Sequence, residues 1–79
     1  MLGGLAALLS PLAVFALESG SLACSPPLAG TCKPTPCPES NDYALKLCSH
    51  NCDNRVAHKA ECCEGPSNKA DMFCTLDPA

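Results

Sequence analysis

The sequence predicts a small disulfide-rich α+β domain with one or two short helices, a short C-terminal strand and four disulfides. The prediction depends on the chain's size, its few aromatic side chains and its cysteines. The 79 residues include two Phe, one Tyr, no Trp and eight Cys. Burial of so little apolar surface does not offset the chain entropy, so crosslinks are expected. An even count pairs fully, with no free thiol. The disulfide cysteines are Cys24, Cys32, Cys37, Cys48, Cys52, Cys62, Cys63 and Cys74.

The first 16 residues have the composition of a secretory signal peptide. Residues 1–16 contain no charged side chain. Their apolar run is interrupted by Pro11 and is shorter than the roughly 20 residues that a membrane span needs. Small residues allow cleavage after Ala16, or alternatively after Ala23. We therefore expect a secreted, extracellular protein with a single disulfide-stapled domain over residues 17–79, in a compartment where disulfides persist.

Charge and composition argue against nucleic-acid binding and catalysis. Five basic residues stand against eight acidic ones, which is unlike the basic footprint of a nucleic-acid-binding protein. We expect a monomer without a cofactor, a nucleic-acid partner or a membrane contact after signal cleavage. We also expect no enzymatic activity. Ser49, His50 and Asp53 lie in one local segment, where such residues are typical of turns and helix caps, with no pocket to exclude water.

The middle of the chain predicts a proline-rich connector followed by a helix. Five of the 15 residues in 24–38 are proline, and proline fixes φ and removes an N–H donor, so this segment is extended or turning. Its "CKPTPC" loop carries Lys33 and Thr35 at the tip. A helix over about 41–51 follows, since Ser40 or the next residue suits the N-cap. Cysteines at helical spacing lie on one face of that helix.

The segment "VAHKAECCEGP", residues 56–66, has two interpretations. Asp53 could cap a second helix over about 54–63 that ends at Gly65. Alternatively, residues 56–62 form a short strand, although their alternation is imperfect. We favour the helix. A short strand over 72–76 is expected at the C-terminus.

The adjacent cysteines in this segment are interpreted as structural. Cys62 and Cys63 could bond to each other only through a strained peptide that no helix accommodates, and the chain has no Cys-x-x-Cys pair. A zinc site is disfavoured because only five residues separate Cys52 from His58, fewer than in a zinc finger. Neighbouring side chains point in different directions on a helix or a strand. The doublet is therefore expected to tie its own segment to two others.

The cysteine spacing resembles the latter part of Kazal-type protease inhibitors. The matching features are Cys37-x10-Cys48-x3-Cys52, Tyr43, the expected helix, and Val-x-His before Cys62, within a region of about Cys24–Cys62. The resemblance is degenerate. The loop between the second and third cysteines has only four residues, which places Pro34 at the primary specificity position. Ala60 stands where the family usually has Gly. The segment "PESN" replaces the family's Gly-x-Asp-Gly turn after the third cysteine.

The resemblance implies a pairing and an activity. It implies Cys24–Cys52, Cys32–Cys48 and Cys37–Cys62, with Cys63–Cys74 as an additional bridge. It also implies inhibition of a serine protease outside the cell.

The overall composition is similar to that of small secreted cysteine-rich proteins of fungi, including effectors. This similarity suggests an effector or toxin-like binding protein that presents rigid loops to an extracellular protein partner. The five candidate contact residues are Lys33, Thr35, Arg55, His58 and Lys59.

Overall fold

A computed structural model of the chain describes residues 17–78. The predicted signal peptide therefore lies outside the described residues. One helix packs on a four-stranded sheet of order β1-β4-β3-β2. The elements are β1 (Glu18–Ala23), β2 (Pro34–Thr35), α1 (Asn41–Asn51), β3 (Ala57–Glu64), a 3₁₀ turn (Pro66–Asn68) and β4 (Lys69–Leu76). The predicted α+β class, with four disulfides and a C-terminal strand, is confirmed.

Helix α1 occupies the predicted residues because its local signals are strong. The Ser40 hydroxyl accepts a hydrogen bond from the Tyr43 N–H at 3.2 Å, which satisfies one of the free donors of the first turn. Ala44 and Cys48 form the buried side of the helix, while Tyr43 remains half exposed. The helix ends at Asn51, and Cys52 follows it as the C-cap.

The second helix, predicted over 54–63, is wrong: this segment contains strand β3. Asp53 and Asn54 have φ values of 57° and 56°, in the left-handed region, where a helix N-cap does not lie. These two residues reverse the chain after α1. β3 then pairs with β4 in antiparallel fashion along its whole length. Long-range pairing decides between the two structures here, because the local sequence suits both.

β4 carries the inward-facing side chains of the sheet. Ala70, Met72 and Cys74 are buried, and the residues between them are less buried, as strand alternation requires. The Cys48–Cys74 disulfide joins the buried side of α1 to this face, and the Cys48 sulfur lies 3.8 Å from the Met72 sulfur. Both cysteines are fully buried. A cystine thus occupies the place that an aromatic cluster takes in larger domains.

β1 is an element that the sequence did not predict. It runs parallel to β4 at the edge of the sheet. The Ser21 N–H donates to Asp71 Oδ1 at 3.0 Å, and Lys69 Nζ lies 3.0 Å from Glu18 Oε1. A Cβ at Gly20 would overlap Asp71 Oδ1, so a larger residue there would displace the carboxylate that accepts from the Ser21 N–H.

Candidate functional site, the stapled loop

The adjacent cysteines of β3 bond to the two ends of one short loop. Cys63 is joined to Cys32, and Cys62 is joined to Cys37. We call residues 32–37 the stapled loop. The prediction that the doublet ties β3 to two different segments is wrong. The two sulfurs do leave opposite faces of the strand, since Cys62 belongs to the core under α1 and Cys63 does not.

Pairing between β2 and β3 brings both ends of the loop to the doublet. Pro34 lies opposite Cys63 and Thr35 lies opposite Cys62. The Glu64 N–H donates to the Lys33 carbonyl at 2.8 Å, which extends the pairing by one residue. The loop is therefore fixed by a strand pairing along its middle and by a disulfide at each end.

Two of the four disulfide pairs that the family resemblance implies are present. The structure contains Cys24–Cys52 and Cys37–Cys62. The implied Cys32–Cys48 and Cys63–Cys74 pairs are wrong, and Cys32–Cys63 and Cys48–Cys74 replace them. The physical reason is the position of α1. The Cys48 sulfur, on its buried side, lies beside Met72 of β4 and therefore meets Cys74, and the remaining thiols lie together beside β2.

The stapled loop presents two of the predicted contact residues. The Lys33 side chain is 79% exposed, and its Nζ lies 3.6 Å from Glu64 Oε1. Two such exposed side chains gain little from an ion pair, so the ammonium group is accessible to a partner. Thr35 is half-buried and faces a cavity beside the loop.

The other three predicted contact residues lie toward the opposite end of β3. The Arg55 guanidinium donates to the Asp77 carbonyl at 2.7 Å, and His58 Nδ1 lies 3.9 Å from Asp77 Oδ1. Lys59 instead approaches the Glu61 carboxylate at 3.8 Å. On the predicted second helix these three residues would share one face; they do not, because residues 57–64 form a strand with a bulge between Ala57 and Lys59. The five candidates thus form two separate groups.

A cavity that the sequence did not reveal lies beside the stapled loop. We call it the edge cavity; its volume is about 330 Å³. One of its walls is Glu39, whose Oε2 accepts a hydrogen bond from the Ser19 hydroxyl at 2.6 Å. The other oxygen, Oε1, is buried and has no hydrogen-bond partner among the described residues. The cavity is lined by Pro34, Thr35, Cys37, Glu39, Asn41, Ala44, Ala60, Glu61 and Cys62.

Within residues 17–78, no cluster of three or more His, Cys, Asp or Glu side chains has the geometry of a metal site. No helix in that range is long and apolar enough to cross a bilayer. Ser49 and His50 lie in the last turn of α1, and Asp53 follows in the chain reversal. Comparison of the chain with protein-family models, curated proteins and solved structures found no match.

Proposed function

We propose that the chain is a secreted, cysteine-rich binding protein of the effector or toxin-like type, which acts on an extracellular protein partner. The observation that carries this proposal is the stapled loop, whose two ends are bonded to adjacent residues of one strand. Four disulfides are consistent with an extracellular protein, since disulfides persist in oxidising compartments. The binding group at the centre of the proposed contact is Lys33.

The staples support binding because they lower its entropic cost. Ordering one flexible residue costs about 1–2 kcal/mol, so the four residues between the cysteines would cost about 4–8 kcal/mol if they were ordered only on contact. Two of the four are prolines, whose φ is already fixed, so the entropic cost that the staples remove is near the lower end of that range, about 4 kcal/mol. Because the disulfides order the loop when the protein folds, this entropy is not lost again on binding. The contacts of the loop therefore contribute more fully to affinity.

An array of extracellular protein ectodomains tests the proposal. The oxidised protein, secreted by a host that expresses all 79 residues, is labelled and titrated over the array. We expect saturable binding that weakens about tenfold in Lys33→Glu, because charge reversal at a contact replaces attraction by repulsion. Lys46→Glu, an equal charge change on an exposed position of α1, is the matched control. Binding that responds equally to both variants, or no saturable binding, would contradict the proposal.

Inhibition of a serine protease is the second candidate. Two structural observations favour it: residues 57–64 form a strand, and Cys24–Cys52 and Cys37–Cys62 are paired as in the resemblance. The short loop, with Pro34 at the primary specificity position, opposes it. Titration of trypsin-like, chymotrypsin-like and subtilisin-like enzymes with the secreted protein distinguishes the candidates. The inhibitor hypothesis predicts stoichiometric inhibition of one class, and no inhibition at micromolar concentration would reject it.

A further inference from the structure

The segment between Cys24 and Cys32 is an exposed loop without charge. We call its residues 25–31, "SPPLAGT", the connector turn. Neither the turn nor its two flanking cysteines carries a charged side chain, and six of its seven residues are exposed. Exposed apolar side chains follow one another closely here, at Pro26, Leu28 and Ala29. A contiguous apolar surface on a soluble protein is typical of a contact with another molecule.

Leu28 is the largest of these apolar side chains, and it is 78% exposed. Four other leucines of the described residues pack against the core instead: Leu17, Leu22, Leu47 and Leu76. A chain with so small a core would gain stability from burying a further leucine. A single exposed leucine is ordinary on a protein surface. Leu28 differs in that the backbone around it is fixed.

A hydrogen-bonded turn fixes the backbone next to Leu28. The Leu28 carbonyl accepts from the Thr31 N–H at 3.1 Å and from the Thr31 hydroxyl at 2.7 Å. Gly30 has a φ of 80°, as the third residue of a type II turn requires. A Cβ at Gly30 would meet open space, so the positive φ, and not crowding, selects glycine here.

Prolines and disulfides fix the rest of the connector turn. Pro26 and Pro27 have fixed φ angles, and a residue before proline is confined to extended conformations. The disulfides of Cys24 and Cys32 anchor the two ends. Because the turn is ordered when the protein folds, little entropy is lost on contact. Preformed, proline-rich segments of this kind dock in grooves lined with aromatic side chains.

The same turn argues against a substrate-like contact with a protease. A protease binds the carbonyl oxygen at the specificity position through the donors of its oxyanion hole. The Leu28 carbonyl is already bonded twice to Thr31. The accessible part of Leu28 is therefore its side chain, which suits an apolar pocket and not an active site.

Leu28 and Lys33 lie close enough for one partner to contact both. They are five positions apart, and an extended chain spans at most about 3.6 Å per residue, so their Cα atoms lie within about 18 Å of each other. A standard interface of about 800 Å² per partner is roughly 30 Å across. An apolar contact at Leu28 and a charged one at Lys33 thus fit within one interface.

We propose that the protein partner has an uncharged groove lined with aromatic side chains, which receives the connector turn with the Leu28 side chain as its apolar anchor. The inference deepens the proposed function, since it rests on the existence of a protein partner and names the chemistry of a second contact beside Lys33.

Truncation of Leu28 tests the inference on the ectodomain array. The labelled, oxidised, secreted protein is titrated as wild type and as variants. Leu28→Ala should weaken binding about ten- to thirtyfold, because most of the apolar area of the anchor is lost. Leu28→Met nearly conserves the volume and should stay within about threefold of wild type. Val56→Ala shortens another aliphatic side chain, 66% exposed and outside the connector turn. It is the matched control and should change binding less than about twofold.

Salt separates the contact at Leu28 from the one at Lys33. Raising the ionic strength from about 0.1 M to about 1 M shortens the screening length from about 10 Å to about 3 Å. The ratio of the Kd of Lys33→Glu to that of wild type should therefore fall. The same ratio for Leu28→Ala should stay within about twofold of its value at low salt, since an apolar contact is not screened.

A stability measurement distinguishes a binding role from a structural one. Because the Leu28 side chain is exposed, Leu28→Ala should leave the midpoint of unfolding in guanidinium chloride unchanged. A clear fall in the midpoint would show that Leu28 supports the fold, and it would overturn the inference.

Two binding results would also overturn the inference. One is equal binding by Leu28→Ala and wild type while Lys33→Glu binds more weakly, in which case the proposed function stands without this contact. The other is Leu28-dependent binding to phosphatidylcholine vesicles with no effect of Leu28 on any ectodomain, which would show a lipid contact. An array without saturable binding by the wild type rejects the inference together with the proposed function.

Discussion

Removal of the two disulfides at the doublet tests whether they act as one unit. The change replaces Cys32 and Cys63 by Ala, Cys37 and Cys62 by Ala, and then all four. The sequence separations of the two bridges are 31 and 25 residues. Each bridge seen alone closes a long loop. With the other bridge in place, however, the chain between them runs only through residues 32–37 and 62–63.

The magnitudes follow from the loops that each bridge closes. For a loop of about 8 residues, the chain-entropy relation gives about 2.5 kcal/mol, so removal of either bridge alone should cost about that much. Once one is absent, the remaining bridge closes a loop of about 20–30 residues through the rest of the disulfide network, which is worth about 3.5 kcal/mol. Removal of both should therefore cost about 6 kcal/mol, about 1 more than the two single losses added together.

Equilibrium unfolding in guanidinium chloride, without reductant, measures these free energies. The two replacements are well matched, because Cys62 and Cys63 are both buried and their partners are both half-buried. Replacing Cys24 and Cys52 by Ala is the control. That bridge has a sequence separation of 28 residues. It closes a loop of about 20 residues even with the others intact, so its loss should cost about 3.3 kcal/mol.

Equal costs for all three bridges, with additive losses at the doublet, would refute this reasoning. Such a result would mean that the stapled loop gains no rigidity from having two bridges. If the variant without either doublet bridge fails to fold, the comparison of the single variants with the control still decides, since their expected difference is about 0.8 kcal/mol.

Three further predictions concern the pairing, the N-terminus and the helix cap. Fragmentation of the non-reduced protein by electron transfer should link Cys32 to Cys63, and a link from Cys32 to another cysteine would contradict the structure. The intact mass of the secreted protein should place its first residue at Leu17, because cleavage after Ala23 would remove β1 from the sheet. A protein that begins after Ala23 would show that β1 is dispensable. Ser40→Ala should lower the free energy of unfolding, measured in guanidinium chloride, by about 1 kcal/mol, because the N-cap hydrogen bond is lost. Ser25→Ala, in the exposed connector, is the control and should change it little. Equal effects of the two substitutions would mean that the cap contributes nothing.

Helix α1 and the C-terminal strand could be predicted because their signals are local. The capping hydroxyl of Ser40 and the prolines that precede it fix where the helix begins. The limits of β3 could not be predicted in the same way. Its residues suit a helix or a strand, and the choice depends on pairing with β4, together with the left-handed Asp53 and Asn54 that reverse the chain.

The parts of the site that the sequence did not reveal depend on contacts between distant residues. Glu18 and Lys69 are 51 residues apart, yet they form an ion pair across β1 and β4. Glu39 has no local signal of function, since a glutamate before a helix is a common capping neighbour. Its surroundings come from a distant strand: β1 brings the Ser19 hydroxyl to Oε2, while Oε1 is buried with no partner among the described residues.

The two doublet bridges differ in their relation to the edge cavity. Cys37–Cys62 both fixes the stapled loop and lines the edge cavity, whereas Cys63 lies outside the core on the other face of β3. Replacing Cys32 and Cys63 by Ala should therefore loosen the loop and weaken the partner contact at Lys33, but leave the edge cavity unchanged. Replacing Cys37 and Cys62 by Ala should loosen the loop and also remove one wall of the edge cavity. Ectodomain binding and the amide chemical shifts of Ala44 and Ala60, recorded on the same two variants, measure this, and equal shift changes in the two variants would mean that the edge cavity is not shaped by the disulfide that lines it.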